Sequence, residues 1–141
     1  MKDSLKVGTT FSRTLEVDQG RTIGFMGDGL RVYATPSMVH DVEHSCRNLL
    51  VEHHDLGEDS VGARVVIDHL APTLLGQQVT VLVTVAEIAL PRLTFEVEVK
   101  DELDTVGRAT HVRFVVDTAK QAARLAKKQD RLKAAREQGA A

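Results

Sequence analysis

Four strand-like runs follow Gly62, and one segment before them has the pattern of a long amphipathic helix. The runs cover 64–70, 78–88, 93–100 and 105–116. In the second, Val79, Val81, Val83 and Val85 share one face. In the third, Leu93, Phe95, Val97 and Val99 share one face, with Thr94, Glu96, Glu98 and Lys100 opposite. A period of two means one buried and one wetted face, which favours an antiparallel sheet. Pro91-Arg92 and Leu103-Asp104 fall where tight connections are needed. Phe11, Arg13, Leu15 and Val17 alternate with Ser12, Thr14 and Glu16 and predict an earlier strand. The segment 22–32 holds Gly24, Gly27 and Gly29 and reads as a loop. Thr35 then reads as a helix N-cap, with Pro36 at the first helical position. Val39, Val42, Cys46, Leu49, Leu50 and His53 follow at spacings of three and four, a stripe along about five turns. One long helix followed by consecutive strands predicts an α+β fold, with one antiparallel sheet curled around a central helix.

Charge divides the chain. Residues 118–141 carry seven basic and two acidic side chains, a net +5, so residues 1–117 carry −7 of the total −2. The segment 119–138 has no Gly or Pro and is rich in Ala, Lys, Arg and Gln, which predicts a helix. Leu125 and Leu132 are its only large apolar residues, so the helix should be mostly solvated. The expected organisation is a domain over 1–117 and a basic C-terminal helix or tail over 118–141. A single cysteine, Cys46, excludes an internal disulfide framework and a four-cysteine zinc site. No apolar run approaches the roughly 20 residues that span a bilayer, and no membrane association is expected. The first residues lack the apolar core of a signal peptide, so the expected location is the cytoplasm. A near-neutral charge, 4% aromatics and no Trp argue against a nucleic-acid partner.

Several residues can carry chemistry. Thr35 can simply cap the helix. It can also place a hydroxyl beside a carbonyl at a helix N-terminus, where free N–H groups and about half a positive charge stabilise an oxyanion. Glu43 sits at the edge of the apolar stripe. It is either a boundary carboxylate paired with Arg47 at i+4, or a general base or nucleophile tuned by partial burial. His69 lies on one strand face with Val65 and Ile67, as a core or rim residue or as a proton carrier. His111 and Arg113 share a face and can bind an anion or pair with acidic residues across the sheet. His40 and His44 are four apart, a spacing that can chelate a metal. The pattern is not HExxH and spacing defines no third ligand, so no metal site is expected.

These residues together resemble the hotdog-fold thioesterases, and within them the fluoroacetyl-CoA thioesterase group. The start Met1-Lys2-Asp3 … Val7-Gly8 is similar to that group's. Val32-Tyr33-Ala34-Thr35 … Met38-Val39 … Glu43 resembles its active-site loop and central helix. Ser60-Val61-Gly62, His69 and Val106-Gly107 … Thr110-His111-Val112-Arg113 follow in the same register. Residues 35–113 align without a gap, and the resemblance covers about 1–117. It implies a hotdog fold, with an antiparallel sheet wrapped around a long central helix. It also implies a catalytic Thr35, Glu43 and His69, with Gly62 and Arg113 at the positions that recognise fluorine in the group. Tyr33, Ser37 and Met38 complete the implied substrate-binding set.

Two departures stand out. Pro36 replaces a glycine and has no N–H, so oxyanion donors must come from Ser37, Met38 or another segment. The 22–32 loop is several residues shorter than the group's lid, with only Phe25 and Tyr33 as nearby aromatics.

Geometry adds a constraint. Thr35 and Glu43 are eight helical residues apart, a rise of about 12 Å, too far to touch one carbonyl from a single helix. Two subunits can supply them, and the resemblance implies a homodimer with sites between subunits. The expected activity is hydrolysis of a small acyl-CoA to free acid and CoA. CoA enters as part of the substrate and no cofactor is needed. The alternatives are a non-hydrolytic acyl-CoA or ligand-binding hotdog protein and, ranked lower, a hotdog hydratase.

Overall fold

The structure is a computed structural model that describes residues 1–139. Strand β1 (Thr10–Glu16) leads into a single 3-10 turn and a small hairpin of β2 (Thr22–Ile23) and β3 (Val32–Tyr33). Helix α1 (Thr35–Val51) follows, then β4 (Glu58–His69), β5 (Gln78–Ala89), β6 (Arg92–Lys100), β7 (Thr105–Asp117) and α2 (Thr118–Gln138). The five long strands form one antiparallel sheet in the order β1-β5-β6-β7-β4. The last three expected runs match β5, β6 and β7 to within a residue or two. The first begins six residues earlier than its alternation indicates, because both faces of β4 before Arg64 mix polar and apolar residues. The glycine-rich 22–32 segment is not loop throughout. Its two ends pair as β2 and β3.

The inner sheet face is the one the alternation marks. Val79, Val81, Val83, Val85, Leu93, Phe95, Val97 and Val99 are buried against α1. The helix buries Met38, Asp41, Val42, Ser45, Cys46, Leu49 and Leu50. This face is rotated from the sequence-derived stripe: Val39 is only half-buried and His53 lies beyond the helix, while Asp41 and Ser45 turn inward. Each fully buried Leu, Val or Phe side chain in this interface contributes about 1.5–3 kcal/mol. Gly107 lets α1 approach closely. A Cβ there would lie 2.5 Å from the Met38 sulfur, which only a bare backbone admits.

Helix α2 differs in kind. Asp117 caps it by accepting the Lys120 N–H, and the Thr118 N–H and hydroxyl both donate to the Gly57 carbonyl. No residue of α2 is buried. No described helix is long and apolar enough to cross a membrane.

Candidate active site

Ala34, not Thr35, is the N-cap of α1. Thr35 is the first helical residue and Pro36 the second. Freed from capping, the Thr35 hydroxyl lies 2.7 Å from His69 Nδ1, at the end of β4. Two N–H groups of the first turn are free among the described residues. Pro36 has none, Met38 N–H closes onto the Ala34 carbonyl, and Thr35 and Ser37 N–H have no partner among the described residues. The expected donor at Met38 is therefore unavailable; its side chain is instead fully buried against Gly107.

Thr35 and His69 open onto a cleft of about 380 Å³ lined also by Ile23, Val32, Tyr33 and Leu70. Burial lowers the His69 pKa below the usual 6.5, against a smaller opposing effect of the Ala71 backbone, so the imidazole is neutral at pH 7. With its proton on Nε2, Nδ1 accepts the Thr35 hydroxyl. His69 Nε2 is buried without a partner among the described residues. Tyr33 packs edge-on to the imidazole at 6.2 Å between ring centres. Ser37 is not in this cleft. It lines a neighbouring one with Asp18, Gly20, Arg21, Pro36, His40 and Asp41.

A second cluster forms further along α1. Glu43 is half-buried and lies against the β4 backbone, its Oε1 3.0 Å from where a Cβ on Gly62 would stand. His111 Cε1 and Arg113 Nη1 are the next nearest atoms, at 3.3 and 3.5 Å. A side chain at position 62 would press against these three groups. Arg113 is buried and held on every nitrogen. Nε donates to the Ser60 hydroxyl at 2.8 Å, Nη2 to the Ser60 carbonyl at 2.8 Å, and Nη1 to His111 Nε2 at 3.2 Å. His111 Nδ1 donates to the Arg64 carbonyl, which fixes its tautomer and leaves Nε2 as the acceptor. Burial lowers the pKa of both His111 and Arg113. Neither residue pairs with an acidic side chain across the sheet. Glu43 does not pair with Arg47, which is bound instead to Asp59.

The structure divides the residues named from the sequence into two groups. Thr35, His69 and Tyr33 meet at the end of β4, and Glu43, Gly62 and Arg113 meet near its middle. Seven residues of strand separate His69 from Gly62, about 20 Å. His40 and His44 stack at 4.0 Å, and no group of three metal-ligating side chains exists among the described residues. Sequence reading passed over Asp41, Ser60 and Arg21. Asp41 was legible in principle: it falls in the series 38, 41, 42, 45, 46, 49, the face that the helix buries.

A hotdog-fold thioester hydrolase is the class that this sheet, helix and Thr–His pair define. Residues 17–119 match the family model described as fluoroacetyl-CoA-specific thioesterase, and the chain belongs to that family. The fluoroacetyl-CoA thioesterase of Streptantibioticus cattleyicolor is 29% identical over 135 residues, covering 91% of this chain and 97% of that protein. A crystal structure of the fluoroacetyl-CoA thioesterase FlK superposes with a TM-score of 0.81 at 28% identity, covering 89% of this chain and 98% of that one. A thioesterase superfamily member from Thermus thermophilus superposes with a TM-score of 0.85 at 27% identity, covering 92% and 96%. A hot-dog-like protein from Thermanaerovibrio acidaminovorans gives 0.80 at 25%, covering 86% and 91%.

Proposed function

We propose that this chain hydrolyses a small acyl-CoA thioester to the free acid and CoA, at a site shared by two subunits of a homodimer. The observation that carries this is the Thr35 hydroxyl at 2.7 Å from His69 Nδ1, beside a helix start with free N–H groups. Three features support the two-subunit arrangement. Glu43 stands about 12 Å along the helix from Thr35. It already has its own neighbours, Gly62 and Arg113. Strand β4 is an edge strand of twelve residues with no partner on its outer side among the described residues, and Val61 and Val66 are exposed on it. Edge pairing of two such strands satisfies their backbone groups and brings one subunit's Thr35–His69 toward the other's Glu43.

Hydrolysis follows from these groups. Glu43 of the partner subunit attacks the thioester carbonyl, or takes a proton from the water that does. Both routes need its carboxylate ionised. The carbonyl oxygen becomes an oxyanion facing the Thr35 hydroxyl and the free N–H groups at the start of α1. The C–S bond breaks, and the CoA sulfur takes a proton through His69, which a neutral imidazole can relay. Where Glu43 attacks, water then hydrolyses the mixed anhydride and frees the carboxylate; by either route one water is consumed and the acid and CoA thiol are released. The reaction balances without a metal or redox cofactor. Solved structures of FlK variants hold fluoroacetate with CoA, and acetyl-CoA, which supports the same substrate class here.

The test is CoA release, followed with a thiol reagent, over a panel of acyl-CoAs that includes acetyl- and fluoroacetyl-CoA. Hydrolysis lost in Glu43→Ala supports the proposal. Thermal stabilisation by acyl-CoA without turnover of any panel member overturns it in favour of a binding protein, the reading that the missing N–H of Pro36 favours.

A further inference from the structure

His69 has no carboxylate to orient it. Its Nδ1 meets Thr35, the Ala71 backbone acts on the imidazole, and the ring packs edge-on against Tyr33. What holds Tyr33 therefore bears on the reaction. Tyr33 is 1% exposed, and its hydroxyl donates to Asp41. Asp41 is wholly buried on α1, the helix that begins with Thr35. Its carboxylate also accepts Arg21 Nε at 3.1 Å and Arg21 Nη2 at 3.3 Å. Arg21 in turn binds Asp18, and its carbonyl accepts the Ala34 N–H at the helix start. One carboxylate thus joins β3, the turn before β2, and α1.

A buried carboxylate is costly unless its lone pairs are satisfied, and a hydrophobic residue at position 41 would pack this helix face without that cost. A carboxylate on the apolar face of α1 therefore points to a role beyond packing. We propose that Asp41, through Tyr33, is a positioning residue for His69. The carboxylate fixes the tyrosine ring, and the ring fixes the imidazole so that Nδ1 meets the Thr35 hydroxyl. Tyr33 itself is no acid or base in the reaction. Its ring lines the Thr35–His69 cleft, while its hydroxyl is bonded to Asp41, which lines the neighbouring cleft. Tyr33 thus acts on substrate only by shaping the cleft wall. This inference rests on the reading of Thr35 and His69 as the reacting pair.

The experiment compares Tyr33→Phe, Asp41→Asn and the double variant with wild type by CoA release from acetyl-CoA, with melting temperatures taken in parallel. Thr35→Ala and His69→Ala are the controls. Tyr33→Phe removes one hydroxyl and leaves the Arg21–Asp41 pair, so it keeps the test open if Asp41→Asn folds poorly. Each single variant should lower kcat about tenfold with KM within about twofold, the signature of a misplaced reacting group. The double variant should be no worse than the worse single, because both changes cut one connection. Wild-type kcat in both singles, with Thr35→Ala inactive, overturns the proposal and leaves the site intact. Losses that multiply in the double variant, or a loss confined to KM, overturn it as well. Full turnover by Thr35→Ala and His69→Ala removes the reading of the site, and the proposal with it.

Discussion

Replacing Gly62 with alanine separates catalysis from stability. Gly62 does not have a positive φ, so alanine fits its backbone without strain. Losing the glycine's freedom in the unfolded chain stabilises the fold by about 0.4–1 kcal/mol. The new methyl group would stand 3.0 Å from Glu43 Oε1, 3.3 Å from His111 Cε1 and 3.5 Å from Arg113 Nη1. The carboxylate is the end of a flexible side chain and gives way, whereas Arg113 and His111 are held by Ser60 and Arg64. An ordinary contact is restored by moving the carboxylate about 0.5 Å; a 1 Å misplacement costs about a hundredfold, so the loss is about tenfold. The assay is the initial rate of CoA release over a range of acetyl-CoA concentrations, with a melting curve on the same sample. The expected result is kcat/KM reduced about tenfold or more, with Tm unchanged or slightly raised. Unchanged kcat/KM would refute the reasoning, because the space above Gly62 would then play no part in the reaction.

Further outcomes follow from the same structure. The kcat/KM should fall as pH drops through a pKa below 6.5, since protonation of the half-buried His69 removes its acceptor; a pH–rate profile with its acid limb above 6.5 would contradict this. His44, His54 and His111 are likewise lowered by burial, so the folded state binds fewer protons than the unfolded chain. Their contribution is complete above about pH 6.5 and Tm should decline as pH falls below it, as melting curves in a pH series will record. Truncation before Thr118 removes no buried residue, only the Thr118 hydrogen bonds to Gly57, and should leave the KM for acyl-CoA unchanged, as CoA-release kinetics will record. Leu49→Ala empties part of the α1–sheet interface and should cost about 2–5 kcal/mol by denaturant titration.

The sheet was the most legible part of the sequence because a half-buried strand writes its burial into every second residue. Val79 to Val85 and Leu93 to Val99 do so without exception. The first half of β4 was not legible. As an edge strand with a bulge between Gly62 and Arg64, it has too little burial to impose an alternation. The helix was found but rotated, because Asp41 and Ser45 were counted as polar and outward. Asp41 is buried with Arg21 and Tyr33 as partners, and the Ser45 hydroxyl donates to the Asp41 carbonyl. Such pairings join distant segments, which local periodicity does not record. At the site, Thr35 illustrates the same limit. Local sequence makes it a cap; its hydroxyl turns away because His69, 34 residues on, stands beside it.

The central claim is a thioester-hydrolysing site built from Thr35 and His69 of one subunit and Glu43 of the other. Mixing two inactive variants tests it most directly. His69→Ala and Glu43→Ala are purified separately, shown to be inactive, unfolded together and refolded as a mixture, and CoA release is measured. Random pairing makes half the dimers mixed, and each mixed dimer regains one intact site of two, so about a quarter of wild-type activity should return. If all three residues act within one subunit, every site in the mixture lacks one of them, and the refolded mixture stays as inactive as its components.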